Sequence, residues 1–411
     1  MKKFLWKASY FVTVFLLAVL VLAPRAKAEL KVGTLFCYTG PLKEFGPNIR
    51  NGAVLAAKQL KEAGLTIKLI HEDTETSPIA ATDAAKKLVN VDHVAAIIGP
   101  MTSPGVVAVA ESVTCRKGIP IISPSATSPL LTVLPADKDR DFVFRTCPSD
   151  ALQGIVSGIF ASTRYKTASI MYINNPYGQG LAENFTKSFE KRGGKVLARV
   201  PHDEKVAESY TAELRKALKN KPDVLCAFSW VGNARIFIKE AIEFFKYSSF
   251  LFCDGTKSQD LIKAVGAKNL EGQYGTAPAS AKTDAYLIFV TDYKEEFGKL
   301  PPLPFITNAY DALAVVGLAA YSAKVKGLAL TPKNIRDNFR EVACPPGEVV
   351  KPGEFKKAFE LLKKGKKINY EGAAGSIDFD SHGDVITPIE IWKYSGGKIV
   401  PVRVEYDIPK E

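Results

Sequence analysis

From Glu29 onward, short apolar runs alternate with stretches whose apolar residues recur at helical spacing. Leu30 to Phe36 reads as a buried strand. Pro47 to Ala63 reads as a helix, with Ile49, Ala53, Ala56, Ala57 and Leu60 on one face and Gly64 as its stop. Ile67 to His71 is the next strand, and Ser77-Pro78 caps and starts a helix reaching Val89. Val94 to Ile98 and Pro120 to Ile122 read as strands, with a helix from Gly105 to Ser112 between them, and Asp150 is placed as the cap of a helix to Ser162.

The rhythm then restarts. Strands are expected at Ala168–Ile173, Lys195–Val200, Val224–Phe228 and Phe250–Phe252, with helices at Gly178–Lys191, Ser209–Lys219 and Gly232–Phe245. Such alternation predicts parallel sheets covered by helices on both faces, and two runs of it predict two α/β lobes. The last third is less regular. Helices fit Asp284–Phe297, Thr307–Lys326, Pro332–Phe339 and Gly353–Lys364, and closing strands fit Gly375–Phe379 and Val385–Trp392.

The first 28 residues stand apart. Lys2, Lys3 and Lys7 precede an apolar run from Phe11 to Ala23, and Ala26-Lys27-Ala28 follows. This is the pattern of a secretory signal peptide cleaved after Ala28, and the run is shorter than the roughly 20 residues of a membrane span. The protein is therefore expected to work outside the cytoplasm, in the periplasm. Removing the segment takes five of the 55 basic residues and none of the 43 acidic ones, so the net charge falls from +12 to +7. The remaining basic residues are spread along the chain, which gives no footprint for nucleic acid.

Catalytic motifs are missing. The chain has no G-x-S-x-G elbow, no phosphate-loop motif, no G-x-G-x-x-G after the first strand, and no H-E-x-x-H or C-x-x-C spacing. No enzyme, metal or cofactor is expected. The six cysteines are Cys37, Cys115, Cys147, Cys226, Cys253 and Cys344. Export permits disulfides, and Cys115 with Cys147 is the favoured pair, while Cys226 and Cys253 read equally well as buried thiols.

In open parallel sheets, ligands bind beyond the carboxyl ends of strands. Gly99 to Ser103 follows one predicted strand and Ser123 to Thr127 another, and both loops offer hydroxyls and free amides suited to a carboxylate. Ordinary capping and turn roles for Ser103 and Thr127 are the alternative. In the second run, Tyr177, then Ser229-Trp230, then Asp254 follow strand ends. Asp254 could face an ammonium group or simply cap a helix, and Tyr177 and Trp230 could wall a ligand.

In order along the chain stand TLFCYTGPL from Thr34, NGAVLAAKQL from Asn51, AAIIGPMTS from Ala95, ISPSATSP from Ile122, FRTCPSD from Phe144, YGQGLAENF from Tyr177, AYDAL from Ala309 and GSIDFDSHGD from Gly375. With these segments the chain resembles the type I periplasmic binding proteins of the branched-chain amino acid transporter family, over Glu29 to about Pro401. The resemblance implies two doubly wound parallel-sheet lobes joined by three crossovers. Residues 29–147 with 276–375 would form one lobe, and 148–275 with 376–411 the other. It implies a ligand set of Ser103, Ser125, Ala126 and Thr127 for an α-carboxylate, Asp254 for the α-ammonium, Tyr177 as a closing wall, and Ser229 and Trp230 beside the side-chain pocket. The family often carries glutamate where this chain has Asp254, and Cys37 and Trp230 are unusual for a simple leucine pocket. The implied role is a monomeric solute-binding subunit that delivers an amino acid to a membrane permease. An aromatic or other carboxylic acid, or a short amide, is the alternative ligand, and a sensor ectodomain the alternative role.

Overall fold

The computed structural model describes residues 29–409, so the expected signal peptide lies outside the described residues. Strands β1 (Leu30–Phe36), β2 (Ile67–Asp73), β3 (Ala96–Ile98), β4 (Ile121–Ser123) and β5 (Val143–Arg145) form one parallel sheet in the order β2-β1-β3-β4-β5. Alternate residues of each strand enter opposite cores. Leu35, Ile97, Ile121 and Val143 face one layer, while Val32, Phe36, Ile98, Ile122 and Phe144 face the other. Both faces are therefore covered, as the continuous apolar runs require.

Strands β6 (Thr167–Ile173), β7 (Lys195–His202), β8 (Val224–Phe228), β9 (Phe250–Phe252) and β10 (Tyr274–Pro278) repeat the design in the order β7-β6-β8-β9-β10. A short parallel pair, β11 (Glu348–Val350) and β12 (Ile368–Tyr370), lies apart. Strands β13 (Ile389–Ser395) and β14 (Lys398–Glu405) then extend the second sheet antiparallel beyond β10. The two sheets share one strand order, so each has a switch point: β1 against β3, and β6 against β8.

Four helices position the cleft. They are α1 (Phe45–Glu62), α2 (Asp150–Ser162), α3 (Pro176–Lys191) and α4 (Ile306–Val325). Helix α4 is buried along nearly its whole length and packs against α1. That approach needs Gly52, because a Cβ there would sit 2.1 Å from the Ile306 carbonyl oxygen.

Three crossings join the lobes, and they are tied to one another or to α4. Thr146 and Asn308 exchange hydrogen bonds, with the Asn308 amide 2.6 Å from the Thr146 carbonyl and the Thr146 hydroxyl 2.8 Å from the Asn308 carbonyl. The Ala279 amide donates to Pro388 O and the Ala281 amide to Ala374 O, both at 2.8 Å.

Several expectations need adjustment. The crossing expected at residue 276 falls inside β10, whose backbone pairs with β9 and β13, so that crossing lies after Pro278. Residues 375–379 form no strand beyond a single bridge from Ser376 to Glu371. The helix expected over Pro332–Phe339 breaks at Asn338, whose side-chain oxygen accepts from Ser322 and Lys326. Ser149 rather than Asp150 caps α2, accepting from the Ala151 amide at 3.2 Å. The Cys115–Cys147 disulfide does not form, and all six cysteines are free thiols. Cys115 and Cys147 enter the two different core layers of the first lobe, and their thiols turn to Asp137 and to the Ala126 carbonyl.

Candidate functional site

The carboxyl ends of both sheets converge on one cleft. From the first lobe come the loops after β3 and β4, and from the second those after β6, β8 and β9. Thr102, Ser103, Ser125, Tyr177 and Asp254 supply the polar lining, and Leu42, Phe45, Met101, Trp230 and Phe305 the apolar walls. The enclosed space is about 30 Å³ measured at the centre of a water molecule, room for about two waters. The lobes are thus drawn together.

Contacts across the cleft hold that arrangement. Ser128 donates to Pro176 O at 2.8 Å. Glu44, just before α1, accepts from the Ser258 hydroxyl and from the Gln259 amide of the other lobe.

Local capping fixes the side chains. Asn175 caps α3, accepting from the Tyr177 and Gly178 amides at 3.0 and 3.1 Å, and Pro176 occupies the first turn. Tyr177 is thereby pinned with its hydroxyl 2.8 Å from Asp254 Oδ1. Thr102 caps the helix that begins at Ser103, and the Ser103 hydroxyl accepts from the Ser128 amide at 3.1 Å, leaving its proton free for the cavity. Ser125 Oγ donates to Met101 O at 2.9 Å. Gly255 permits the approach of the second-lobe loops, since a Cβ there would lie 2.5 Å from Ser229 O.

The loop from Ser125 to Val133 is held from behind by Arg145. Its guanidinium pairs with both oxygens of Asp384 at 2.6 Å and donates to Ser128 O at 2.9 Å and to Thr132 Oγ1 at 2.8 Å. This ties the hydroxyl-bearing loop to the third crossing.

Of the residues expected to bind, Ser103, Ser125, Tyr177, Trp230 and Asp254 line the cavity. Ala126, Thr127 and Ser229 are buried behind it. Thr127 is drawn away because its hydroxyl donates to Asp150 Oδ2 at 2.8 Å, and Ser229 Oγ turns to its neighbour's carbonyl. Phe45, Met101 and Phe305 were not singled out from the sequence. Phe305 holds φ +74° at the start of α4, a left-handed backbone that is rare for an aromatic residue and a sign of local constraint. Cys37 lies buried outside the cavity lining, bonded to Thr74.

Asp254 is 4% exposed. Its Oδ1 accepts from Tyr177 and from Gln153 Nε2 at 2.8 and 2.9 Å, both neutral donors. Burial raises its pKa, and the two hydrogen bonds oppose the rise. Burial likewise lifts the Tyr177 phenol well above its usual value, with the Asp254 charge adding to it, and pushes the Cys253 thiol up to about 12. Among the described residues no Lys, Arg or His lines the cavity. The site therefore offers hydroxyls on one lobe and an acid without a cationic partner on the other. A larger groove of about 600 Å³ runs beside Lys326, Arg340 and Lys363, but those cations already pair with Glu341, Asp141 and Glu360. Among the described residues no group of His, Cys, Asp and Glu side chains is arranged to hold a metal ion, and no helix is long and apolar enough to cross a membrane.

The model of a periplasmic binding protein family matches residues 29–386. A Leu/Ile/Val-binding protein homolog from Brucella abortus is 30% identical over 295 residues, covering 69% of this chain and 76% of its own. The leucine-binding protein LivK of Thermotoga maritima superposes with a TM-score of 0.76 at 24% identity, over 92% of this chain and 98% of its own. A solute-binding protein of Rhodopseudomonas palustris solved with benzoate gives 0.74 at 20% identity, over 93% and 98%. At these identities the two structures bear on the fold alone.

Proposed function

Because the chain belongs to the type I periplasmic binding proteins of the branched-chain amino acid family, a family of solute-binding proteins and not of enzymes, we propose that it captures an amino acid between its lobes and delivers it to the membrane permease of an ABC importer. The observation that carries this reading is Asp254, a buried acid on the cavity wall whose side-chain hydrogen-bond donors among the described residues, Tyr177 and Gln153, are neutral. A buried charge requires a partner, and a ligand ammonium supplies one. The same acid disfavours benzoate-like ligands, which would bring a second negative charge and no cation.

In this reading the ligand carboxylate meets the Ser103 hydroxyl, the Ser125 hydroxyl once it turns from Met101 O, and the free amides of the first-lobe loops. The ammonium meets Asp254, and the side chain rests on Trp230, Phe45 and Phe305. Ala126 and Thr127 shape the carboxylate loop from behind, and Ser229 supports Trp230. The lobes divide near the three crossings, the leader is removed after Ala28, and the protein acts as a periplasmic monomer. The cavity as it stands is too small for an amino acid, so the lobes part to admit one, and ligand contacts to both lobes then stabilise the closed form over the open one.

A thermal-shift screen of amino acids, aromatic acids and short amides tests the proposal, because ligands that bind the native state raise its melting temperature. A clear rise with leucine, isoleucine or valine is expected. A rise only with acids that lack an amine would overturn it.

A further inference from the structure

Behind Asp254 stands a second buried acid. Asp150 opens α2, is 0% exposed, and accepts from Thr127 through Oδ2. Its Oδ1 has no hydrogen-bond partner among the described residues, and neither has Oε1 of Gln153. Asp150 and Gln153 are three apart on one helix, so their side chains share a face. Two buried acceptor oxygens on one helix face are thus left without a partner, and only a proton or a water can satisfy them. Gln153 meanwhile aims its amide nitrogen at Asp254 Oδ1 and at Thr276 O.

We propose that Asp150 carries a proton in the resting protein and donates it toward Gln153 Oε1, so that Asp254 alone holds the negative charge of the cleft. The inference rests on the reading of Asp254 as the ammonium partner. Asp150 is then a positioning residue. Its proton fixes which way the Gln153 amide points, and that amide keeps Asp254 ionised and aimed.

The surrounding groups agree. Burial and the charge of Asp254 both raise the Asp150 pKa well above the carboxylate range. Arg145 opposes this, but its guanidinium is committed to Asp384. The remaining titratable neighbours, Tyr177, Cys147 and Cys253, are all pushed up by burial and stay neutral. One charge, not two, is what a single ammonium needs.

The first test needs no ligand. Infrared spectra of the protein at pH 7 should contain a protonated-carboxyl band that Asp150→Asn removes. Asn mimics the neutral acid, so Asp150→Asn should fold and melt at or above the wild-type temperature at pH 7, with the advantage vanishing below about pH 4. Absence of the band, or marked destabilisation by Asp150→Asn, would overturn the proposal. Calorimetry with L-leucine separates it from the ammonium reading. Asp254→Asn should weaken binding about tenfold to a hundredfold, while Asp150→Asn leaves it within about threefold. Equal losses in both variants would mean that Asp150 is charged and refute its neutrality. No loss in Asp254→Asn would instead refute the ammonium reading.

Discussion

The hydroxyl of Tyr177 lies 2.8 Å from Oδ1 of Asp254 and donates to it. The bond joins the start of α3 to the end of β9, so two loops of the second lobe present one combined surface to the ligand. Tyr177→Phe keeps the ring and removes the donor. We expect ligand affinity to fall about tenfold to a hundredfold, the effect of one charge-assisted hydrogen bond, while the melting temperature changes little. Calorimetry on the variant checks it, and unchanged affinity would show that Tyr177 acts only as a wall.

Glu44 bridges the lobes without lining the cavity. Burial raises its pKa, which the Ser258 hydrogen bond opposes. If the latch favours the closed form, Glu44→Ala should speed ligand release several-fold while leaving the contacts inside the cavity intact. Stopped-flow release rates measure this directly.

Arg145 is 1% exposed and satisfied by Asp384, Thr132 and Ser128. Arg145→Met strands the largely buried Asp384 carboxylate and frees the Ser125 to Val133 loop. A loss of about 3–5 kcal/mol is expected from urea unfolding. Hydrogen exchange should rise first at Ser128 to Thr132.

Asp311, on α4, is fully buried, and burial pushes its pKa up to about 7 against three hydrogen bonds from Tyr370, Ala373 and Ala374. The folded state therefore holds its proton more tightly than the unfolded chain, where the pKa is 3.8. This contribution to stability is full below about pH 4 and is lost as the pH rises to about 7. Asp311→Asn should flatten that slope by up to about 4 kcal/mol, read as the difference between urea midpoints at pH 4 and pH 8.

Much of the fold was legible because apolar runs end abruptly. Leu30–Phe36, Val224–Phe228, Phe250–Phe252 and Asp284–Phe297 have the bounds that their patterns predict. Strand β10 was not, since Tyr274–Pro278 carries Gly275 and Pro278 and gains its place from β9 and β13 on either side. Asp254 was legible as an acid after a strand. Gln153 was not, because a helix brings it to Asp254 from about a hundred residues away. Phe305 reads as an ordinary aromatic until the chain's return after β10 folds it into the cleft.

The central claim is that Asp254 receives a ligand ammonium. It is tested most directly by calorimetric titration with L-leucine and with 4-methylpentanoate, the same carbon skeleton without the amine. The account predicts measurable binding of leucine, and affinity for the deaminated acid at least about tenfold weaker. Equal or tighter binding of 4-methylpentanoate would contradict it.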